Sequence, residues 1–363
     1  MSAPSTTPAS DVIVVGGGII GLACAAAIAD RGIAVTLVGE SLAGEASPAS
    51  AGLLAPSIAT GSDGARAFAI AARDRFPSFV DLLARETGIT IPLWRDGILE
   101  LAMDGRAASR MEENGGGTWL ARAQLLAEEP AITEAAGAML YERDGAADSV
   151  ALVGALRVHL TRFPRVRQIA GLVTRISVGS GATEVETSTG ERLRADRIVL
   201  AAGAWVVGIA GIPRPLPVEP VRGQMLALGS TPVRHPTFGP SGYIVPRAGV
   251  ATLVGATSER VGFDARTTAD GLDHLMRAAR MISPVFGRVA VLRSWAGLRP
   301  MTPDLLPIIG ADPDVPELIY ACGHSRNGVL LSAITGDVVA DIVTGGRVAH
   351  DLAPFAVSRF ADS

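Results

Sequence analysis

At 363 residues and 48% hydrophobic content, the chain has room for two structural domains and core material for both. Its 32 Lys and Arg against 36 Asp and Glu leave a net charge of −4, which gives no reason to expect nucleic acid or an anionic membrane as partner. Cys24 and Cys322 are too few for a disulfide framework and suit a reducing, cytoplasmic setting, while five scattered histidines without ligand spacing argue against any metal.

Residues 1–10 are small and uncharged in their side chains, and read as a disordered tail rather than a signal peptide. Residues 11–21 then run Asp-Val-Ile-Val-Val-Gly-Gly-Gly-Ile-Ile-Gly. The β-branched Val12, Ile13, Val14 and Val15 predict a buried parallel strand, and residues 22–29 a close-packed helix. Gly16 permits a tight turn, Gly18 lets the backbone approach a pyrophosphate, and Gly21 lets the helix lie close to the sheet. A second strand over 33–38 ends just before Glu40, an acid placed to accept hydrogen bonds from a ribose. Strand, glycine turn, helix, strand and acid in that order point to a bound dinucleotide. The competing reading takes the uncharged residues 12–29 as a membrane span, since about 18 apolar residues suffice. The triple glycine beside a β-branched run and the lack of basic flanks oppose it.

Residues 41–56 are mostly small, which lets backbone approach a ligand. A helix is expected from 64 to about 87, interrupted at Pro77, then a strand over 97–102 and a glycine loop at 115–117. Further helices are expected over 118–130 and 148–163. Residues 169–178 and 183–188 read as a hairpin around a Gly-Ser-Gly turn, followed by a buried strand from 197 that ends in a glycine turn at Gly203. Strands over 224–228, 242–246 and 251–256, a helix over 268–282, a strand over 318–322 and a helix over 328–344 complete the chain. The strand-glycine-helix pattern therefore recurs near 200 and 318. The expected fold is α/β (α+β overall), with a discontinuous Rossmann-like cofactor domain over 1–60, 146–212 and 297–363 and a β-rich substrate domain over 80–145 and 216–296.

Four segments carry a resemblance to a known family: Val14 to Gly21 with Glu40; Ala46-Ser47 through Ser50-Ala-Gly-Leu-Leu-Ala-Pro56; Tyr243-Ile-Val-Pro-Arg247 leading into Val254-Gly-Ala-Thr-Ser-Glu259; and Gly297-Leu-Arg-Pro300 through Gly323-His-Ser-Arg-Asn-Gly328. In order and spacing they resemble the FAD-dependent oxidases of the D-amino-acid oxidase superfamily, most closely its glycine-oxidase branch of thiamine biosynthesis. The resemblance implies non-covalent FAD held by Ile19, Ile20, Glu40, Ser41, Ala46, Ser47, Ala51, Gly52 and Leu53, with Val173 at the adenine. Ala202 and Gly203 join that site, and His324, Ser325, Arg326, Asn327, Gly328, Val329 and Leu330 line the flavin pyrimidine edge. It also implies Arg299 as the clamp on a substrate carboxylate, with Tyr243 and Arg326 beside it. Ser258 departs from the apolar residue or Met common in the family, which bears on the side chain accepted.

The residue chemistry fits those roles. A planar guanidinium offers a carboxylate two parallel donors, and Arg299, between prolines and glycines, is expected in a rigid turn. Its alternative is a surface ion pair with Asp304. Tyr243 is either a second carboxylate donor or a core tyrosine, His324 is chiefly a loop-ordering residue, and Arg326 faces substrate or cofactor. The helix opening at Gly328 has free amides to favour negative charge on a reduced flavin. The implied activity is oxidation of glycine or a small N-substituted amino acid. Hydride passes from Cα to flavin N5, O2 yields H2O2, and the imine hydrolyses to glyoxylate and ammonia. The alternatives are a D-amino-acid dehydrogenase using a quinone or other acceptor, or a flavin subunit of a heteromeric amine oxidase. The expected assembly is a homo-oligomer.

Overall fold

The computed structural model describes residues 10–58, 63–178, 183–247 and 249–361. The expected N-terminal tail, apart from Ser10, and the Gly-Ser-Gly turn at 179–181 lie outside the described residues. The central strand is Ser10–Val15, flanked in parallel by Arg192–Leu200 and Val35–Val38. Val12 through Val15 are buried, as an unbroken β-branched run in a sheet covered on both faces requires. The eight-stranded sheet continues through Val166–Ile169 on one side; on the other, Thr183–Thr187 and Val173–Ser177 extend it. Leu318–Cys322 also joins Arg192–Leu200 in parallel and carries Ile308–Ala311. Helices Ile19–Asp30 and Gly328–Thr344 pack on each other against this sheet. The ends of Ser10–Val15, Val35–Val38, Arg192–Leu200 and Leu318–Cys322 therefore share one edge, where ligands bind in open α/β sheets.

A second, mostly antiparallel sheet stands against that edge. Its strand order is Val291–Met301, Glu219–Leu228, Ala251–Gly255, Gly242–Arg247, Thr237–Gly239, Ile98–Ala102, Gly137–Tyr141 and Thr118–Ala121. One face packs under helix Ala269–Ile282, with Leu226, Ile244 and Val254 meeting Leu275, Ala279 and Ile282. The opposite face presents Met225 and Tyr243, neighbours across Gly255. Three short strands, Leu53–Leu54, Gly145–Ala147 and Leu93–Trp94, form a small sheet of their own. Among the described residues no helix is long and apolar enough to cross a membrane.

Several elements depart from expectation. Helix Asp63–Thr87 runs unbroken through Pro77. A mid-helix proline costs roughly 3 kcal/mol, but Phe68, Phe76, Phe79 and Leu83 are buried from this helix, and each contributes about 1.5–3 kcal/mol, so packing wins. The helix expected over 118–130 is a strand, Thr118–Ala121, followed by a short helix, Arg122–Glu128, because the 118–121 stretch pairs along Gly137–Tyr141. The first hairpin arm is split: Val166–Ile169 pairs parallel to Val35–Val38, and only Val173–Ser177 pairs with Thr183–Thr187. After the strand ending at Leu200 the chain forms a 3-10 helix, Gly203–Gly208, in place of the α-helix of a full repeat. Arg299 sits within strand Val291–Met301 and not in a turn; this is an edge strand, where Pro300 is tolerated. That strand crosses position 297 as one piece.

Candidate active site

Between the shared edge of the first sheet and the Tyr243 face of the second lies a cavity of about 580 Å³. Gly16, Gly18, Ile19 and Ile20 line it where the first strand turns into helix Ile19–Asp30. Gly16 has φ +119°, a conformation that side chains rarely adopt. A Cβ on Gly21 would fall 1.9 Å from the Gly16 carbonyl oxygen, so this third glycine packs the turn against the helix and does not line the cavity. The helix has no side-chain cap from Gly18 and no acid in its first turn; Ser47 instead reaches in, its hydroxyl accepting from the Ile19 amide at 3.0 Å. The remaining amides and the helix dipole face the cavity as an anion site. Glu40 and Val173 contribute further wall, as do Ala202 and Gly203. Ser41 is not part of the wall.

Ala46, Ser47, Ala51, Gly52 and Leu53 form another side, and their backbone is held from outside. Trp295 Nε1 donates to the Ala49 carbonyl at 3.0 Å, Ser149 Oγ to that of Ser50 at 3.0 Å, and Arg247 Nη2 to that of Ala51 at 2.8 Å. The Arg247 guanidinium lies 4.1 Å over the Trp94 ring, and burial lowers it to about 10 against the pull of Asp148. Trp295 belongs to no motif, and Arg247 closes the Tyr243–Arg247 segment of the resemblance without a role assigned from sequence; their grip on the 46–53 backbone comes from packing between distant segments.

His324, Ser325, Arg326, Asn327, Gly328 and Val329 line the cavity as a loop running into helix Gly328–Thr344, which also lacks a side-chain cap and an acid in its first turn. Leu330, by contrast, is 1% exposed and packs in the core, one residue past the wall. His324 is buried, its Nε2 3.1 Å from Thr335 Oγ1, and burial pushes it down to about 3. Burial thus favours its neutral form, and the contact ties it to helix Gly328–Thr344. Ser325 holds a positive φ of 51° while its amide donates to the Pro300 carbonyl at 2.9 Å, stitching the loop to the Arg299 strand.

Arg299, Tyr243 and Arg326 meet in the same cavity. Arg299 Nη1 donates to the Thr257 carbonyl at 3.0 Å, and the Tyr243 phenol lies beside the guanidinium, donating to Met225 Sδ at 3.6 Å. Burial lowers the Arg299 pKa; Tyr243 raises it and the charge of Arg326 lowers it further. Tyr243 is pushed up by burial against the two arginines. The alternative partner Asp304 is engaged elsewhere, 2.7 Å from Arg359 Nε. Among the described residues no carboxylate pairs with Arg299, so its charge is left for a ligand. Met225, Phe238, Ser241, Thr257 and Leu305 also line this region, as does Ser258. Thr257 and Ser258 lie in the Val254–Glu259 segment of the resemblance, whereas Met225, Phe238, Ser241 and Leu305 reach the cavity through sheet pairing and turns that no motif marks.

A Rossmann-type sheet with two helix N-termini on one cavity, faced by an antiparallel sheet whose Arg299 has no carboxylate partner among the described residues, defines a dinucleotide-dependent enzyme. The chain matches the DAO model of FAD dependent oxidoreductases over residues 11–342 and belongs to that family. It is similar to the glycine oxidase of Geobacillus kaustophilus, at 34% identity over 365 residues covering 96% of this chain and 97% of that protein. The crystal structure of glycine oxidase from Geobacillus kaustophilus superposes with a TM-score of 0.91 at 32% identity, covering 97% of this chain and 99% of the other. The bifunctional protein ThiO/ThiG of a Nostoc species is 33% identical across 96% of this chain, which spans about half (55%) of that relative's length. FAD is the cofactor of the family, and the residues fit it: the first-turn amides of helix Ile19–Asp30 beyond Ile19 suit its pyrophosphate, and the small side chains of 46–53 leave room for a flat ring system.

Proposed function

We propose that the chain oxidises glycine or a small N-substituted glycine in the cytoplasm, with O2 as the final electron acceptor. The observation that carries this reading is the Arg299 guanidinium, lining the cavity without a carboxylate partner among the described residues and fixed by the Thr257 carbonyl. It would take the substrate carboxylate on two parallel donors, with the Tyr243 hydroxyl as a further donor. Arg299 and Arg326 together disfavour an ammonium nearby, so the substrate reacts as the neutral amine with its proton lost to water. No side-chain base is required, and His324, with Nε2 against Thr335, is not placed as one. When bound, FAD would supply the hydride acceptor for Cα–H, with O2 as the final oxidant and H2O2 as its product. The substrate leaves as an imine, which water converts to glyoxylate and ammonia or amine. Much of the rate then comes from positioning.

In the same reading, 1–60, 146–212 and 297–363 form the FAD domain and 80–145 and 216–296 the substrate domain, with strand Val291–Met301 passing between them. The residues predicted for FAD, from Gly16 to Val329, are the ones assigned to hold it, with Ser41, Gly21 and Leu330 in supporting positions. The test is anaerobic mixing of the yellow holoprotein with glycine or sarcosine. Bleaching of the flavin band, followed in air by one H2O2 per substrate, is the expected result. Bleaching without peroxide, with turnover only on a quinone or dye, makes the protein a dehydrogenase.

A further inference from the structure

The Val254–Glu259 segment carries part of the family resemblance and ends in Glu259, which does not line the cavity although Ala256, Thr257 and Ser258 before it do. It leaves strand Ala251–Gly255 and passes the Glu219–Leu228 strand, whose side chains alternate between the cavity face and the face under helix Ala269–Ile282. Thr257 bridges the two faces. Its backbone carbonyl accepts from Arg299 Nη1 at 3.0 Å on the cavity side. Its hydroxyl donates to Glu259 Oε1 at 2.5 Å and accepts from the Gln224 amide at 2.9 Å.

Glu259 is in turn over-determined. Its carboxylate receives Arg222 Nη2 at 2.5 Å and Gln224 Nε2 at 2.8 Å, and its backbone pairs both ways with that of Arg222. Gln224 is fully buried and clasps Thr268, the N-cap of helix Ala269–Ile282, through both ends of its side-chain amide. Burial pushes the Glu259 carboxyl up, but hydrogen bonds from Arg222, Thr257 and Gln224 outweigh it and hold the group below the usual carboxylate range. None of Arg222, Gln224 and Glu259 lines the cavity.

We propose that Glu259 is a positioning residue for carboxylate recognition: through the Thr257 hydroxyl it fixes the Thr257 carbonyl, and that carbonyl sets the plane of the Arg299 guanidinium. A fork that binds a carboxylate bidentately tolerates little misorientation, so looseness here costs affinity before it costs folding. The inference rests on the reading of Arg299 as a carboxylate clamp.

The test uses FAD-loaded protein with Glu259→Gln and Thr257→Val, and Thr257→Ser as the conservative control. Arg222 keeps Asp264 at 3.3 Å in the Gln variant, so no buried cation is orphaned. Acetate binding is measured by calorimetry, beside KM and kcat for glycine. Both variants should weaken acetate and raise KM by about 5- to 30-fold, with kcat within about twofold and Thr257→Ser near wild type. Unchanged acetate affinity with a lowered thermal midpoint would show that Glu259 only glues the loop, and overturns the proposal. If Glu259→Gln does not fold, Thr257→Val alone decides it in the same way. Wild type that binds acetate but is not reduced by amino acids sinks the substrate reading alone; wild type that binds no acetate sinks both.

Discussion

Gly223 lies directly beneath the Arg299 guanidinium: a Cβ at position 223 would fall 2.2 Å from Nη2 and 2.4 Å from Cζ. The two residues belong to neighbouring strands, with Val221 opposite Arg299 and Gly223 opposite Gly297. The Gly223 backbone is not left-handed, so only space forbids a side chain there. Gly223→Ala should therefore fold and load FAD, since alanine suits a strand no worse than glycine, while displacing the arginine. KM for glycine should rise about tenfold or more with kcat less affected. Flavin content and steady-state kinetics check this, and a variant with wild-type KM would mean that the guanidinium can bind from a second position.

Arg299→Lys keeps the charge and loses the fork. Hydrogen bonds to charged groups contribute about 1.5–3 kcal/mol, which converts to roughly 10- to 150-fold in KM for glycine. If KM stays unchanged while kcat falls, the carboxylate is bound elsewhere and Arg299 acts on the reacting centre instead.

What the sequence made legible was local. Gly16, Gly18 and Glu40 sit within one strand-helix-strand unit, and the order of residue types alone placed them on the cavity wall. The small-residue run 46–53 was legible for the same reason. Arg299 was identifiable as a residue but not in its setting, because Gly297 and Pro300 break strand periodicity and only edge position reconciles them with a strand. Gly223, Met225 and Thr257 reach Arg299 and Tyr243 through cross-strand register between distant segments, and no periodicity within one segment reports that. Leu330 shows the opposite limit: it adjoins a wall residue in sequence, and one further step around the helix turns it into the core.

His324 has a definite pH consequence. Its folded value of about 3 lies below the ordinary 6.5, so as pH falls through that window the unfolded chain binds a proton that the folded chain refuses. Stability is whole above pH 6.5 and falls with acid, by up to about 1.4 kcal/mol per pH unit. His324→Gln should flatten that acid slope, read as thermal midpoints across the window. The pH profile of glycine oxidation at neutral and alkaline pH should keep its shape, because a neutral, loop-ordering imidazole takes no proton there. A lost limb in that profile would return His324 to proton transfer.

Arg247 tests how the FAD wall is held. It is 9% exposed, with Nη1 lacking a partner and Nη2 on the Ala51 carbonyl at 2.8 Å. Arg247→Met keeps much of the volume over Trp94 and removes a buried charge, a change often neutral for stability. It loses the long contact to the Ala147 carbonyl at 3.4 Å and, chiefly, the anchor on the Ala51 carbonyl of the 46–53 backbone, and loss of that anchor, about 1.4 kcal/mol, corresponds to tenfold. The expected outcome is a thermal midpoint of the apoprotein near wild type and FAD bound about tenfold more weakly, measured by fluorescence titration. A lowered midpoint with unchanged FAD affinity would make Arg247 a packing residue of the second sheet, with no part in holding the cofactor wall.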